Sequence, residues 1–377
     1  MKPFIKWPGG KTEELKVILK YIPNKFDRYY EPFIGGGAVF FAMNGSQKCF
    51  INDKSIELIN LYSSIKEKRE DFFLNINEID KCWKVLEVIT EKHIDYFAEQ
   101  YSDFKKDKLT ETELEKNINE FIKLYSDEFN GILNENFIID EEKILTTFKQ
   151  SLNRKFKRMK KIESEKGDLS VKDIKSNIET AFKSALYTHF RYLYNNKDKF
   201  KINSGLSTAL FYFIREYCYS SMFRYNKSGG FNVPYGGMSY NGKYLTNKIE
   251  YMCSKEMINK LKDTSITAMD FEMFFSHFSP GEDDFIFLDP PYDSDFSTYA
   301  NNSFGEQDHI RLANFCNTTK SKFMLVIKNT EFIYDLYKDF NIKYFDKKYL
   351  VSFQNRNDKS AEHLIVTNYV MEGEYNA

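Results

Sequence analysis

What this chain of 377 residues lacks narrows its identity first. Its five cysteines, Cys49, Cys82, Cys218, Cys253 and Cys316, are scattered and include no CxxC pair. That argues against a disulfide framework and a structural zinc site, and it fits a reducing compartment. The five histidines fall in no HExxH or HxH spacing, so no metal is expected. No apolar run approaches the length of a membrane span, and Met1-Lys2-Pro3-Phe4 lacks the start of a signal peptide. A soluble cytoplasmic protein with no membrane partner is expected. The net charge is −1, which gives no global attraction for a polyanion. Any surface for nucleic acid must come from local segregation of charge. Tryptophan is scarce, at two residues, although aromatics reach 17%. Lys, Asn, Ile, Tyr and Phe are all abundant, as in an AT-rich coding sequence, so aromatic content alone says little about base stacking.

The length exceeds one typical domain and suffices for a sizeable core. Residues 1–64 carry short apolar runs punctuated by glycine. Residues 65 to about 205 are rich in Lys, Glu, Asp and Asn and read as helical. A stretch of aromatics and glycines follows to 264, and strand and helix signals alternate again from 265. The reading is β–loop–α–β at the start. A strand ends at 29–33, Gly35-Gly36-Gly37 forms a loop, a helix starts at 38–43, and Asn44-Gly45 caps it. A second strand at 48–53 ends in an acid. The runs 284–288 and 323–327 are nearly all apolar, as expected of strands buried on both faces. The expected fold is a doubly wound, Rossmann-like α/β sheet built from 1–64 and 265–377, with 65–264 as a helical insert and recognition domain. Within the insert, Leu114, Ile118, Phe121, Ile122, Tyr125 and Phe129 recur at helical spacing, and Thr110 with Glu113 signals a capping box.

Asp289-Pro290-Pro291-Tyr292 directly follows the buried run 284–288. Open α/β sheets bind ligands at the carboxyl ends of their strands, so this is a candidate active-site address. A carboxylate (Asp289) and a backbone carbonyl (Pro290) can accept both hydrogens of an exocyclic amine whose lone pair is otherwise delocalised into a ring. The prolines stiffen the loop, and Tyr292 can stack on a planar base. The plainer reading is a β-turn, for which Asp-Pro is common. Glu31-Pro32-Phe33-Ile34-Gly35-Gly36-Gly37 lets backbone approach a ligand closely, but it is not a GxGxxG fingerprint. Asp53, at the end of the next strand, could bind ribose hydroxyls or simply be solvated. Lys6-Trp7-Pro8-Gly9-Gly10-Lys11 alone reads as a terminal turn. The stretch from Arg224 to Gly236, RYNKSGGFNVPYG, is a surface hairpin or a groove-contacting loop.

Taken together and in this order, these elements resemble the Dam-type, D12 class of site-specific adenine-N6 DNA methyltransferases. That family has KWxGGK, EPFxGxG, RYNxxGxFNVPxG and DPPY elements, and the match spans about 1–64 and 206–370. The resemblance implies S-adenosylmethionine as cofactor and double-stranded DNA as partner, with an adenine flipped out of the duplex. It implies catalytic roles for Asp289, Pro290, Pro291 and Tyr292. Trp7, Lys11, Phe33, Gly35, Gly37, Asp53, Asp270, Phe271 and Asp289 would bind the cofactor. Lys6, Tyr219, Arg224, Asn226, Asn232 and Tyr235 would contact DNA. A monomer is expected. The sequence leaves open whether a partner restriction endonuclease exists, as in restriction-modification.

The chain departs from the family in two places. Tyr219-Ser220-Ser221 stands where the family often has Tyr-Asn-Gly, which leaves the recognition sequence open. The insert before 206 is long, and its stretch 149–161 holds Lys149, Arg154, Lys155, Lys157, Arg158, Lys160 and Lys161 with no acid. That stretch reads either as a phosphate-binding face or as a solvated one. The competing functions are an RNA or protein amide N-methyltransferase, and a non-catalytic DNA-binding module on the same fold.

Overall fold

The computed structural model describes residues 1–43, 47–129, 139–292, 304–348 and 360–371. The expected cap Asn44-Gly45 lies outside them. The strands are β1 (Arg28–Glu31), β2 (Lys48–Asn52), β3 (Thr264–Thr267), β4 (Phe285–Leu288), β5 (Lys322–Lys328), β6 (Asn341–Lys348) and β7 (Ser360–Thr367). They form one sheet in the order β3-β2-β1-β4-β5-β7-β6. The pairs from β3 through β5 are parallel, and β7 runs antiparallel to β5 and β6. Every residue of β4 is buried, as its unbroken apolar run requires of a strand covered on both faces. β1 ends at Glu31, short of the expected Phe33, because Pro32 has no N–H for the ladder.

The chain leaves β1 towards β2 on one side, while β4 lies on the other. The carboxyl ends of β1 and β4 therefore part, and a crevice opens between them. At the opposite end Arg28 fastens the start of β1 to that of β4. Its Nη2 donates to Asp284 Oδ2 at 2.6 Å and its Nε to Oδ1 at 3.0 Å. On one face, Tyr30 stacks on Phe50 at 4.7 Å between ring centres. Helices Phe271–Phe278 and Glu306–Thr318 cover the sheet there, their Phe275 and Phe315 rings stacked at 3.8 Å.

The chain divides into two compact units. One comprises Met1–Glu67, Phe223–Tyr225 and Met252–Ala377, and the other Lys68–Met222 and Asn226–Tyr251. The second unit is helical. The capping box at Thr110 and Glu113 is present, and Leu114, Ile118, Phe121 and Ile122 are buried. That helix stops at Leu124, and the buried Phe129 belongs to a separate turn of helix, Ser126–Phe129. The basic stretch lies on helix Glu141–Lys166, which buries Phe148, Leu152, Phe156 and Met159. Much of its charge is already paired. Lys157 meets Glu111 at 2.6 Å, Lys160 meets Asp107, and Lys161 lies 3.9 Å from Glu165. Arg154 and Arg158, one turn apart, are exposed. No described helix is long and apolar enough to cross a membrane.

Gly37 starts the helix Ala38–Ala42 at φ +73°. A Cβ there would stand 2.7 Å from the Tyr62 hydroxyl and 3.0 Å from the Phe41 ring. Gly37→Ala combines left-handed strain with overpacking and should cost about 2–5 kcal/mol. Urea denaturation will read this as a lower midpoint at unchanged m-value, and an unchanged midpoint would contradict it.

Candidate active site

Five segments meet where β1 and β4 part. A cavity of about 270 Å³ is lined by residues 7–11, 31–39, 52–55, 269–271 and 289–292, joined by Phe223, Phe287, Phe304 and Asp308. The sequence-predicted cofactor and catalytic residues Trp7, Lys11, Phe33, Gly35, Gly37, Asp53, Asp270, Phe271, Asp289, Pro290, Pro291 and Tyr292 all line it.

The glycine loop is shaped by what lies against it. Gly35 has φ +47°, and a Cβ on it would come within 2.8 Å of Trp7 Cδ1. The missing side chain lets the indole lie on the loop, and Phe223 meets that indole edge-on at 4.5 Å. Asp53 binds the loop from the other side. Its Oδ2 accepts from Gly35 N at 3.0 Å and its Oδ1 from Ser55 N at 2.9 Å. Burial pushes its carboxyl up to about 6, against the lowering effect of those amides.

Asn52, which the sequence reading passed over, pins the neighbouring turns. It is 1% exposed. Its Nδ2 donates to Pro32 O at 3.0 Å and Met269 O at 2.9 Å, while its Oδ1 accepts from Thr267 Oγ1 and Met269 N, both at 2.9 Å. One fully satisfied amide thus fixes the chain leaving β1 and the chain leaving β3. The only sequence signal is a polar residue at an otherwise apolar strand position.

Lys11 is 2% exposed, and its ammonium is held by one neighbour in sequence and two partners from far along the chain. Nζ donates to Gly9 O at 2.9 Å and to Asp289 Oδ1, and it lies 5.1 Å from the centre of the Tyr292 ring. The Tyr292 ring also meets His363 edge-on at 5.4 Å. Pro290, in the same loop, is buried. Glu31 adds a second acid. It is 2% exposed and accepts from Tyr29 Oη at 2.6 Å. Burial pushes its carboxyl up to about 8. The Tyr29 bond opposes this, nearby Asp289 adds to it, and Lys260 counters it. Near neutrality Asp289 is therefore accompanied by a largely protonated Glu31.

The expected DNA-contact residues divide between the units. Lys6 and Arg224 are exposed in the first, Tyr219, Asn226 and Asn232 in the second. Asn226 Oδ1 accepts from Ser228 N and Gly230 N, closing the loop tip. Tyr235 corrects the expectation. It is 8% exposed, its hydroxyl meets Asn241 Oδ1 at 3.1 Å, and its ring packs on Trp83 and Tyr187. It is a core residue of the helical unit, with no face left for a base. Ser220 and Ser221 both have positive φ, 51° and 52°. Two successive L-residues in that region are strained by roughly 1–2 kcal/mol each, and Asn-Gly would adopt it more readily. Buried Arg215 holds the turn by donating to Met222 O at 2.7 Å and Ser221 O at 3.1 Å.

The Glu31 environment predicts a pH dependence of stability. Its folded pKa of about 8 exceeds the ordinary 4.5, so its contribution is fully present below 4.5 and is lost as pH rises through 8. Glu31→Gln keeps the shape without the charge. The variant should gain stability relative to wild type as pH climbs from 5 to 9. Parallel urea midpoints across that range would show that Glu31 is ionised throughout.

The profile of the D12 class N6 adenine-specific DNA methyltransferases matches residues 7–181 and 159–351. The chain is 29% identical over 373 residues to the type II methyltransferase M.CviBI of Paramecium bursaria Chlorella virus NC1A, covering 98% of this chain and 100% of that protein. It is 27% identical over 388 residues to the type II methyltransferase M.MjaIII of Methanocaldococcus jannaschii, covering 98% and 99%. It is also 28% identical over 190 residues to the retron Ec67 DNA adenine methylase of Escherichia coli, covering 50% of this chain and 63% of that one. These matches do not favour an RNA or protein methyltransferase, or a module without catalysis. The α/β sheet, its crevice and these matches agree, and the chain belongs to the D12 class of N6 adenine-specific DNA methyltransferases.

Proposed function

We propose that this DNA adenine methyltransferase binds S-adenosylmethionine in the crevice and acts on an adenine flipped out of duplex DNA. The observation that carries the reading is the assembly of Lys11, Asp289 and Tyr292 beside the glycine loop, at the point where the sheet order reverses. The lining fits the cofactor. Phe33, Phe271 and Phe304 offer apolar walls for a base. Asp53 offers carboxylate oxygens for ribose hydroxyls, since each oxygen that takes one amide keeps a second lone pair. Trp7, Lys11, Gly35 and Gly37 border the remaining length. When bound, S-adenosylmethionine supplies a methyl group on a positively charged sulfur.

The residues of the chain handle the amine. The adenine N6 lone pair is spread into the ring, so the nitrogen must be made more pyramidal to react. Asp289 accepts one N6 hydrogen and Pro290 O the other, which draws the lone pair out of the ring plane. Lys11 orients the Asp289 carboxylate through their ion pair. Tyr292 stacks on the extruded base. Lys6, Tyr219, Arg224, Asn226 and Asn232 are the proposed contacts to the duplex. The type II names of the relatives support a role beside a restriction endonuclease that reads the same sequence.

Transfer of labelled methyl from S-adenosylmethionine to duplex DNA, with RNA and protein as controls, tests the reading. Asp289→Ala should lower turnover on the order of 100- to 1,000-fold, the usual loss for one preorganised contact to developing charge. Turnover within a few-fold of wild type would remove Asp289 from the mechanism.

The charge pairing on helix Glu141–Lys166 refines what the insert contributes. Arg154→Gln with Arg158→Gln should weaken binding to all duplex sequences alike and flatten the slope of log affinity against log salt by about 1.8. Lys157→Gln should leave that slope unchanged, because its charge is spent on Glu111. If the double variant keeps the wild-type slope, that face does not meet DNA.

A further inference from the structure

The roles above leave unused an arginine at one end of the crevice. Arg311, on helix Glu306–Thr318, gathers three acids. Nη2 donates to Asp270 Oδ1 and to Glu272 Oε2, both at 2.6 Å, and Nη1 donates to Asp308 Oδ1 at 2.7 Å. The guanidinium carbon lies 4.8 Å from the centre of the Phe271 ring. Asp270, Phe271 and Asp308 line the cavity. Asp270 caps the helix that follows β3, and Asp308 stands in the first turn of the helix that comes after β4. One planar fork therefore joins the two helices that border this end.

A single exposed ion pair would carry little weight, but this cluster differs in geometry and in consequence. The side chain is about one-third exposed, at 34%, and three of its contacts are short and charge-assisted. Without it, Asp270, Glu272 and Asp308 would repel one another, and Asp270 would be driven off its present position. Asp270 Oδ1 takes both Arg311 and Glu272 N. Among the described residues Oδ2 takes no hydrogen bond, so it is available to an amine in the cavity. Phe271, under the guanidinium, lies 5.6 Å from Phe33 and 6.0 Å from Phe304, ring centre to ring centre.

We infer that Arg311 is a positioning residue for the purine end of the cofactor pocket, holding the Asp270 carboxylate and the Phe271 ring so that the pocket favours an amino-purine. The inference rests on the crevice being the S-adenosylmethionine site. Arg311 itself touches neither the methyl group nor the DNA base. It fixes an acceptor whose second oxygen suits an exocyclic amine and opposes a carbonyl at the same place. Lysine is no equivalent, because its ammonium presents its donors from a single nitrogen, whereas the three acids here are divided between Nη1 and Nη2 of a planar fork.

The test uses the full chain with Arg311→Gln and Arg311→Lys. Calorimetry measures the affinity for S-adenosylmethionine, and for S-adenosylhomocysteine against its inosine counterpart. Both variants should weaken cofactor binding and raise its KM by roughly tenfold, the loss of one charge-assisted contact. The preference for the adenine over the inosine ligand should narrow by a similar factor. Turnover at saturating cofactor and DNA affinity should stay within about twofold, since neither contact involves Arg311. Wild-type cofactor affinity in both variants would overturn the inference. So would weakened affinity with an unchanged adenine-to-inosine ratio, which would mark Arg311 as a clamp on the fold alone. Asp53→Ala and Trp7→Ala separate this from the underlying reading. If those weaken cofactor binding while the Arg311 variants do not, only the role of Arg311 falls. If they too leave it unchanged, the crevice is not the cofactor site.

Discussion

A buried lysine ammonium near the start of the chain and a half-buried carboxylate 278 residues later form an ion pair, and the site is arranged around that contact. Taking the ammonium out of water is costly, and it is tolerable only because several partners surround it. Besides Asp289 these are Gly9 O and the face of Tyr292. The pair fixes the otherwise irregular segment 6–11 against the loop after β4, and it seats Trp7 on the glycine loop. Apolar residues of similar volume in place of the pair are compatible with an equally stable fold, but they would remove the Asp289 carboxylate from the β4 loop.

The same crevice distributes charge unevenly among its acids. Glu31 and Asp53 are both pushed towards their neutral forms by burial, whereas Asp289 has an ammonium beside it. A neutral Glu31 can sit behind Asp289 without the repulsion that two carboxylates would suffer. Asp53 gives its oxygens to the backbone of the loops it stands between, so one side chain shapes the site and lines it. Asn52, next to it, does the structural part alone.

How much of this was legible in the sequence depends on the range of each interaction. The β4 strand, the glycine loop, the Thr110 capping box and the DPPY turn are local patterns, and each was readable from a few neighbouring residues. The strand expected to run to Phe33 stops at Glu31, although the missing N–H of Pro32 was a local signal for that end. Asn52 and Arg311 were not readable, because their roles come from partners on other strands and helices. Tyr235 misled for the same reason. It sits in a loop-like motif, yet Trp83, Tyr187 and Asn241 enclose it. The basic run 149–161 contains no acid in sequence, but Glu111 and Asp107 come to it from other parts of the insert.

The way the chain alternates between its units has a consequence for the order in which they can form during synthesis. The helical unit is almost one continuous piece, Lys68–Met222 and Asn226–Tyr251. It has emerged in full while the sheet still consists of β1 and β2. Both partners that flank those strands, β4 beside β1 and β3 beside β2, are translated after residue 251. For that interval the first two strands have unpaired edges on both sides and cannot hold Lys11, whose carboxylate partner does not yet exist. The nascent chain thus carries a helical unit complete in sequence and an open two-stranded stub, and the sheet can close only as the last third of the polypeptide is made.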